Sequence, residues 1–148
     1  MASKEAKVKI RPMEPEDISV ILEIDRKISG EQRAITYRDL LEEALGGQMD
    51  VSFVAEIDDK MVGFVLAYLT YVREKVTEAC MIQIFGVDPA YQRQGIASQL
   101  IQRQLEECQS KGIKLVRVMV EERDTQLQNF FKRLGFGRGH YIDYSKNL

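Results

Sequence analysis

Apolar positions along the chain recur first at helical spacing, then in strict alternation, then at helical spacing again. Val8 to Arg11 has the make-up of a short strand closed by Pro12. Pro15 stands where a first helical turn accepts proline, and Glu16 and Asp17 suit the positive end of a helix. Ile18, Ile21, Leu22 and Ile28 form that helix's stripe. Tyr37, Leu40, Leu41, Ala44 and Leu45 predict a second helix, with Thr36 as N-cap and Gly46 as stop. The period then drops to two. Val51, Phe53, Ala55 and Ile57 alternate with Ser52 and Glu56 as a strand, and Asp58-Asp59-Lys60 supplies a hairpin turn. Met61 to Tyr71 returns as a long strand in which Gly63 marks a bulge.

A third strand of this run, Glu78 to Val87, is apolar on both faces, as a central strand is, and Asp88-Pro89 ends it. A helix from about Gly95 to Lys111 turns Ile96, Leu100, Ile101, Leu105 and Cys108 inward and stops at Gly112. Ile113 to Val120 reads as a buried strand. Leu127, Phe130, Phe131 and Leu134 mark a last helix stopped by Gly135, and Phe136 to Tyr144 is expected to form one or two terminal strands. The order β-α-α-β-β-β-α-β-α-β predicts an α/β or α+β fold, mostly antiparallel at first. The unit from Glu78 to Val120 implies a parallel pair joined by a right-handed crossover.

Composition narrows the picture. With 148 residues, no repeat and no Gly/Ser linker, residues 1–148 are expected to form one domain. The hydrophobic fraction of 45% and charged fraction of 30% argue against disorder. A net charge of −2 lacks the concentrated positive field that a nucleic-acid module needs. Cys80 and Cys108 are the two cysteines and both lie in apolar patterns, which excludes a disulfide scaffold or a cysteine-based zinc site. No metal is expected. The apolar run from Met61 to Val72 is shorter than the roughly 20 residues of a membrane-spanning helix. Met1 to Lys9 has no apolar stretch of signal-peptide length, so a cytoplasmic protein without membrane contact is expected.

The chemistry concentrates in Val87-Asp88-Pro89-Ala90-Tyr91-Gln92-Arg93-Gln94-Gly95-Ile96-Ala97, which joins a buried strand to a long amphipathic helix. A helix start exposes unpaired N–H donors and the positive end of the macrodipole, so it suits an anion. Gly95 lets main chain approach a bulky polyanion, Ala97 keeps the first turn small, and Arg93 adds fixed charge. Together they suit a pyrophosphate. No Gly-Lys-Ser/Thr follows, so this is not a Walker loop, and the three-glycine spacing of a dinucleotide fingerprint is absent. Taken alone, Gly95 serves a plain strand-to-helix turn equally well.

Gln92-Arg93-Gln94-Gly95-Ile96-Ala97 resembles the Q/R-x-x-G-x-G/A acetyl-CoA loop of the GNAT superfamily of N-acetyltransferases. The lead-in Phe85-Gly86-Val87-Asp88-Pro89-Ala90-Tyr91 and the late helix ending Phe130-Phe131-Lys132-Arg133-Leu134-Gly135-Phe136 are similar too, as are the hairpin of Asp58 to Phe64 and the element order. The resemblance covers essentially the whole chain and looks closest to ribosomal-protein N-terminal acetyltransferases. It implies a GNAT-like fold, a central mixed, twisted sheet flanked by about four helices. It further implies direct transfer of acetyl from acetyl-CoA, as co-substrate, to a primary amine in a ternary complex. The acceptor would be a small amine, an amino acid or a protein N-terminus, and a homodimer would not be unusual. Main-chain groups of Phe85, Gly86 and Val87 would pair with the pantetheine arm, and the amides from Arg93 through Gln94, Gly95, Ile96 and Ala97 to Ser98 would hold the pyrophosphate. The late helix's opening Asn of the family corresponds to Asp124, which the resemblance places at the cofactor or at the helix cap.

The acid and base positions depart from the family. The tyrosine that protonates the departing thiolate corresponds to Phe131, and glutamate bases of relatives correspond to Met119 and Met81. None of these moves a proton. Candidates for the missing role are Gln83, a polar residue in an apolar strand, Glu121 at a strand end, and Tyr141 in the terminal segment. Each has a plainer role: an amide satisfied by backbone, a solvated charge, a packed ring. His140 and Tyr144 are weaker candidates, and Glu31-Gln32-Arg33 corresponds in position to an acceptor-binding loop. A weakly basic acceptor amine or a water relay would let the chain work without those groups. A CoA-binding sensor with little or no turnover is the alternative.

Overall fold

A computed structural model of the chain describes residues 7–30, 51–72 and 77–148. Strand β1 (Lys9–Pro12) leads through a 3₁₀ turn at Pro15–Asp17 into helix α1 (Ile18–Ser29). Arg11 grips this turn, its guanidinium donating to both oxygens of Asp17 at 2.8 Å, while Asp17 also accepts from the Glu14 N–H at 2.8 Å. That satisfies a donor the helix start would leave open. Gly30, at φ +74°, ends α1 with its N–H on the Arg26 carbonyl. The predicted second helix, Tyr37 to Leu45, and Glu31-Gln32-Arg33 lie outside the described residues, so α1 is the first of three described α-helices.

Strands β2 (Phe53–Ile57) and β3 (Lys60–Val72) form the expected hairpin. Asp58 and Asp59 are both left-handed, at φ +50° and +62°, the conformation of a two-residue turn that matches strand twist. Strand β4 (Thr77–Val87) follows, then helix α2 (Ile96–Ser110), strand β5 (Leu115–Val118) and helix α3 (Thr125–Arg133). The strands lie in the order β1-β2-β3-β4-β5, antiparallel except for the β4–β5 pair.

Alternation along the strands divides the core between the two faces. Phe53, Ala55, Val62, Val65 and Ile82 pack with Ile96, Leu100 and Ile101 of α2 and Phe131 of α3. Val54, Phe64 and Leu66 face the other way and pack with Ile18, Ile21 and Ile24 of α1. Two bulges break this regularity. Ala55 pairs with Gly63 but Glu56 with Met61, so the extra residue is Val62, one before the glycine expected there. Leu66 pairs with Ile84 but Ala67 with Ile82, which leaves Gln83 unopposed.

The C-terminal third departs from expectation. The strand foreseen as buried over Ile113 to Val120 covers only Leu115–Val118 and is exposed to half-buried, because it forms the edge of the described sheet. Phe136 to Tyr144 forms no strand: residues 137–148 are irregular and exposed throughout, for want of a ladder partner. Tyr141 and Tyr144 therefore stand outside any sheet.

Candidate active site

β4 and β5 run side by side from Ala79 and Leu115 to Ile82 and Val118, then part. Beyond this point Phe85, Gly86 and Val87 pair with Val65, Phe64 and Gly63 on one side only. Their other edge has no strand neighbour among the described residues. The cause is local: β5 ends at Val118 and the chain leaves the sheet toward α3. A parting of strands beside a free, extended edge can accept an extended ligand by main-chain hydrogen bonds.

Gly86 is required by packing as well as by any ligand. A Cβ there would lie 2.7 Å from Ile28 Cδ1 and 3.3 Å from the Phe64 ring, so α1 crosses directly over this residue. Gly63 plays the matching part beneath α2, where a Cβ would lie 3.2 Å from both the Gly86 carbonyl and Leu100 Cδ1. The end of β4 and the start of α2 thereby meet over one small residue.

At the end of β4, Asp88 turns the chain. It is 4% exposed, and its Oδ1 accepts from the Ala90 N–H at 3.0 Å, capping the 3₁₀ turn Pro89–Tyr91. Its Oδ2 lies 3.1 Å from Lys27 Nζ, and its N–H donates to the Val62 carbonyl at 2.7 Å. The Ala90 N–H holds the Asp88 carboxyl below the usual range. Burial works against this, and the bond and charge of Lys27, with the charge of Lys60, add to it. Gln92 Nε2 donates back to the Val87 carbonyl at 3.2 Å and closes the turn.

Arg93 at φ +65° and Gly95 at φ +77° then fold the main chain tightly into α2. The first intrahelical bond runs from Gln99 N–H to the Gly95 carbonyl at 3.1 Å, and no side chain caps the helix. The N–H groups of Ile96, Ala97 and Ser98 consequently have no acceptor among the described residues. A Cβ on Gly95 would find nothing within 4 Å, so the chain is open around the residue that begins this helix. Arg93 and Gln94 are exposed beside it. Unpaired donors and the positive end of the helix dipole stand here, with Arg93 three residues before the helix, an arrangement suited to an anion.

An aromatic wall stands across the parting of the strands. Phe85 stacks on Phe130 with centroids 6.0 Å apart and meets Phe131 edge-on at 5.6 Å, while Phe131 is edge-on to Phe130 and Phe136, each at 5.1 Å. Phe131 is 3% exposed and carries no proton.

The remaining sequence candidates lie on the strands and loops at this end of the sheet and in the terminal segment. Gln83, a candidate for the missing acid–base role, is the bulged residue of β4 and is exposed, so it is not the backbone-satisfied amide of the plainer reading. The Glu121 carboxylate is exposed and accepts from the Arg123 N–H at 3.1 Å. Asp124 caps α3, accepting from the Leu127 N–H at 3.0 Å. The Tyr141 ring lies under the Arg117 guanidinium, 4.4 Å away, and is 66% exposed. His140 and Tyr144 are exposed, Met81 pairs with Arg117 in the sheet, and Met119 is 70% exposed.

Sequence reasoning missed the part played by Asp88 and Lys27, although Asp-Pro ahead of a turn carries the signature of a cap. It also missed Gln104, fully buried on α2, which donates to Cys80 Sγ at 3.3 Å and leaves Oε1 without a partner. Cys80 and Cys108 are buried and free, and contact with Cys108 together with burial pushes the Cys80 thiol up. Among the described residues no helix is long and apolar enough to cross a membrane.

Comparison with known proteins gives this geometry a context. The acetyltransferase (GNAT) family model matches residues 18–136. An uncharacterized N-acetyltransferase of Methanocaldococcus jannaschii is 35% identical over 89 residues, which is 59% of this chain and 39% of that protein. The match thus spans well under half the length of that relative. Among solved structures, the aminoglycoside N-acetyltransferase AAC(6')-Iy in complex with CoA superposes with a TM-score of 0.82 at 19% identity, over 99% of each chain. A ribosomal-protein-alanine N-acetyltransferase from Brucella melitensis superposes with a TM-score of 0.75 at 14% identity, over 96% of this chain and 99% of that one. These last two are likenesses of fold.

Proposed function

Because the chain belongs to the GNAT acetyltransferase family, we propose that it transfers acetyl from acetyl-CoA directly to a primary amine. The observation that carries this reading is the cradle at the start of α2, where Ile96, Ala97 and Ser98 offer free N–H groups into open space beside Arg93. The diphosphate of the co-substrate sits there, with Gln94 and Gly95 lining the turn. The pantetheine arm then runs along the free edge of Phe85, Gly86 and Val87, whose outward main-chain groups pair with it and polarise the thioester carbonyl. The thioester supplies an activated acyl group, and the protein's share is to hold it still beside an amine.

Phe131, Met81 and Met119 shape the acceptor class. With no proton-moving group at those positions, the amine must arrive largely as its free base or lose its proton to water. A lysine side chain, with a pKa near ~10.4, is neutral in under about one part in a thousand at pH 7. An α-amine near ~7.7–8.0 is neutral at roughly the ten-per-cent level. General acid–base help contributes about 10²–10⁴-fold, and positioning supplies as much or more. The acceptor is therefore a weakly basic amine, such as a protein or peptide α-amine, and the protein works in the cytoplasm.

Thiol release from acetyl-CoA against a panel of peptides and small amines tests this. Acceptor-dependent thiol with the weakly basic members is the expected result. A preference for lysine-type amines that survives every nearby polar substitution overturns the acceptor class. The sealing of Phe131 by three other phenylalanines favours one second reading, a CoA-binding sensor. Tight CoA binding with no acceptor-dependent thiol would establish it, and no CoA binding would end both readings.

A further inference from the structure

Gln104 is a polar residue on the buried side of α2 that packing does not require. Its Nε2 donates to Cys80 Sγ at 3.3 Å, and its Oε1 has no partner among the described residues. An apolar side chain of similar size would fill the same space with no unmet polar atom. A buried amide left half-satisfied needs a reason, and the one bond it makes is to a sulfur.

A second thiol stands beside the first. Cys108 lies four residues on from Gln104, so both occupy one face of α2. Cys80 lies opposite in β4, paired with Leu69 of β3 and Val116 of β5. The two cysteines, 0% and 1% exposed, pack in a single cluster with Val51, Ala67 and Ile113. Both are free thiols. Cys80 Sγ already accepts the Gln104 N–H, and its own hydrogen serves the contact with Cys108. That hydrogen bond holds the Cys108 thiol below its usual range. Burial works against it, and the charge of Lys111 adds to it more than Glu107 subtracts. Cys108 is thus the thiol that ionises, and Cys80 the one that keeps its proton.

We propose that Cys80 and Cys108 are a reversible thiol–disulfide couple, oxidised by hydroperoxides, that clamps β4 to α2, with Gln104 as its positioning residue. The Cys108 thiolate attacks one peroxide oxygen, the O–O bond breaks, and the other oxygen leaves with a proton, as water from hydrogen peroxide. Cys80 Sγ then attacks the sulfenic sulfur. The S–S bond forms as the S–O bond breaks, and the hydroxyl leaves with the Cys80 proton as a second water. Two thiols and one peroxide give one disulfide and two waters. The ring so closed runs from Cys80 to Cys108 and encloses Gly86, Asp88, Arg93 and Gly95, so oxidation ties the two arms of the turn into α2 at their far ends. The proposal is independent of the transferase reading.

Treating the full chain with hydrogen peroxide, then denaturing and alkylating it, tests the couple by intact mass. The expected product is a single chain lighter by about 2 Da with no alkylatable thiol, restored by dithiothreitol. Its melting temperature should rise by several degrees, since the new bond closes a long loop. Cys80→Ala should leave a sulfenic acid on Cys108 that dimedone traps, whereas Cys108→Ala should leave Cys80 unlabelled. Gln104→Met should stay folded and form the disulfide several-fold more slowly. Met119, 70% exposed, serves as an internal gauge of the oxidant. Two thiols that persist after Met119 has become its sulfoxide overturn the proposal. So does a disulfide between two chains, or a Cys108 carried on to sulfinic acid with Cys80 still reduced. An unchanged rate in Gln104→Met overturns the part given to the amide.

Discussion

Lys27 and Asp88 stand 61 residues apart in the chain and 3.1 Å apart in the fold. The pair ties the last turn of α1 to the residue from which the turn into α2 departs. Only Asp88 is buried, with side-chain exposures of 42% for the lysine and 6% for the aspartate. The carboxylate therefore matters more than the bridge. Asp88→Ala removes the cap on Ala90 and should cost about 1–2 kcal/mol in urea unfolding. It should also weaken CoA binding by roughly tenfold, as the turn ahead of Arg93 loosens. Lys27→Met keeps the cap and should cost no more than about 1 kcal/mol. Equal costs for the two variants would show that the bridge, and not the cap, holds the turn.

The same carboxylate gives a pH signature. Its folded pKa lies below its unfolded value of about 3.9. The stability it contributes is therefore complete above that value and is lost as pH falls through the lower folded one. The melting temperatures of the parent and Asp88→Asn should differ by a constant amount from neutrality to about pH 5 and converge below about pH 4. Asp17 and Glu107, which are also held low, are common to both proteins and cancel in the difference.

Gly95 separates backbone strain from ligand exclusion. At φ +77° any other residue costs about 1–2 kcal/mol, although a Cβ itself meets nothing. Gly95→Leu should therefore stay folded with a small drop in melting temperature, yet place its side chain in front of the free N–H groups and abolish CoA binding by calorimetry. Undiminished affinity would move the diphosphate elsewhere.

Gly86 and Ile28 should be coupled. The nearest atom to a new Cβ at Gly86 is Ile28 Cδ1, and Ile28 is 45% exposed at the rim of α1. Gly86→Ala should cost about 1 kcal/mol, and Ile28→Val, which deletes that atom, should return most of it in a double-mutant cycle. Additive costs would place the clash on the Phe64 ring instead.

Gln104 carries a buried carbonyl oxygen with no partner, and its amide reaches only a sulfur. Gln104→Met keeps the volume and removes the unmet acceptor. It should raise stability by about 1 kcal/mol, seen as a higher melting temperature. A loss of that size would mean that the bond to Cys80 outweighs the orphaned oxygen.

The sequence by itself determined the features that depend on neighbours along the chain. The stripe of α1, the Asp58-Asp59 turn, the alternation in β2 and the glycine that opens α2 all follow from local sterics and periodicity, so most of the fold and the tight turn into α2 were legible. Tertiary structure alone decided the rest. Gln83 stood out as a polar residue in an apolar strand, but only the pairing of β3 with β4 made it the bulged, exposed residue. β5 was foreseen as buried, but its apolar pattern could not say whether a further strand lies outside it. The terminal segment has strand composition and no ladder. Gly86 is small because of Ile28, and Asp88 is held by Lys27, both from the far side of the sheet. The physical reason is common to all of these: a strand's partners and a side chain's burial are set by segments distant in sequence, and periodicity carries no record of them.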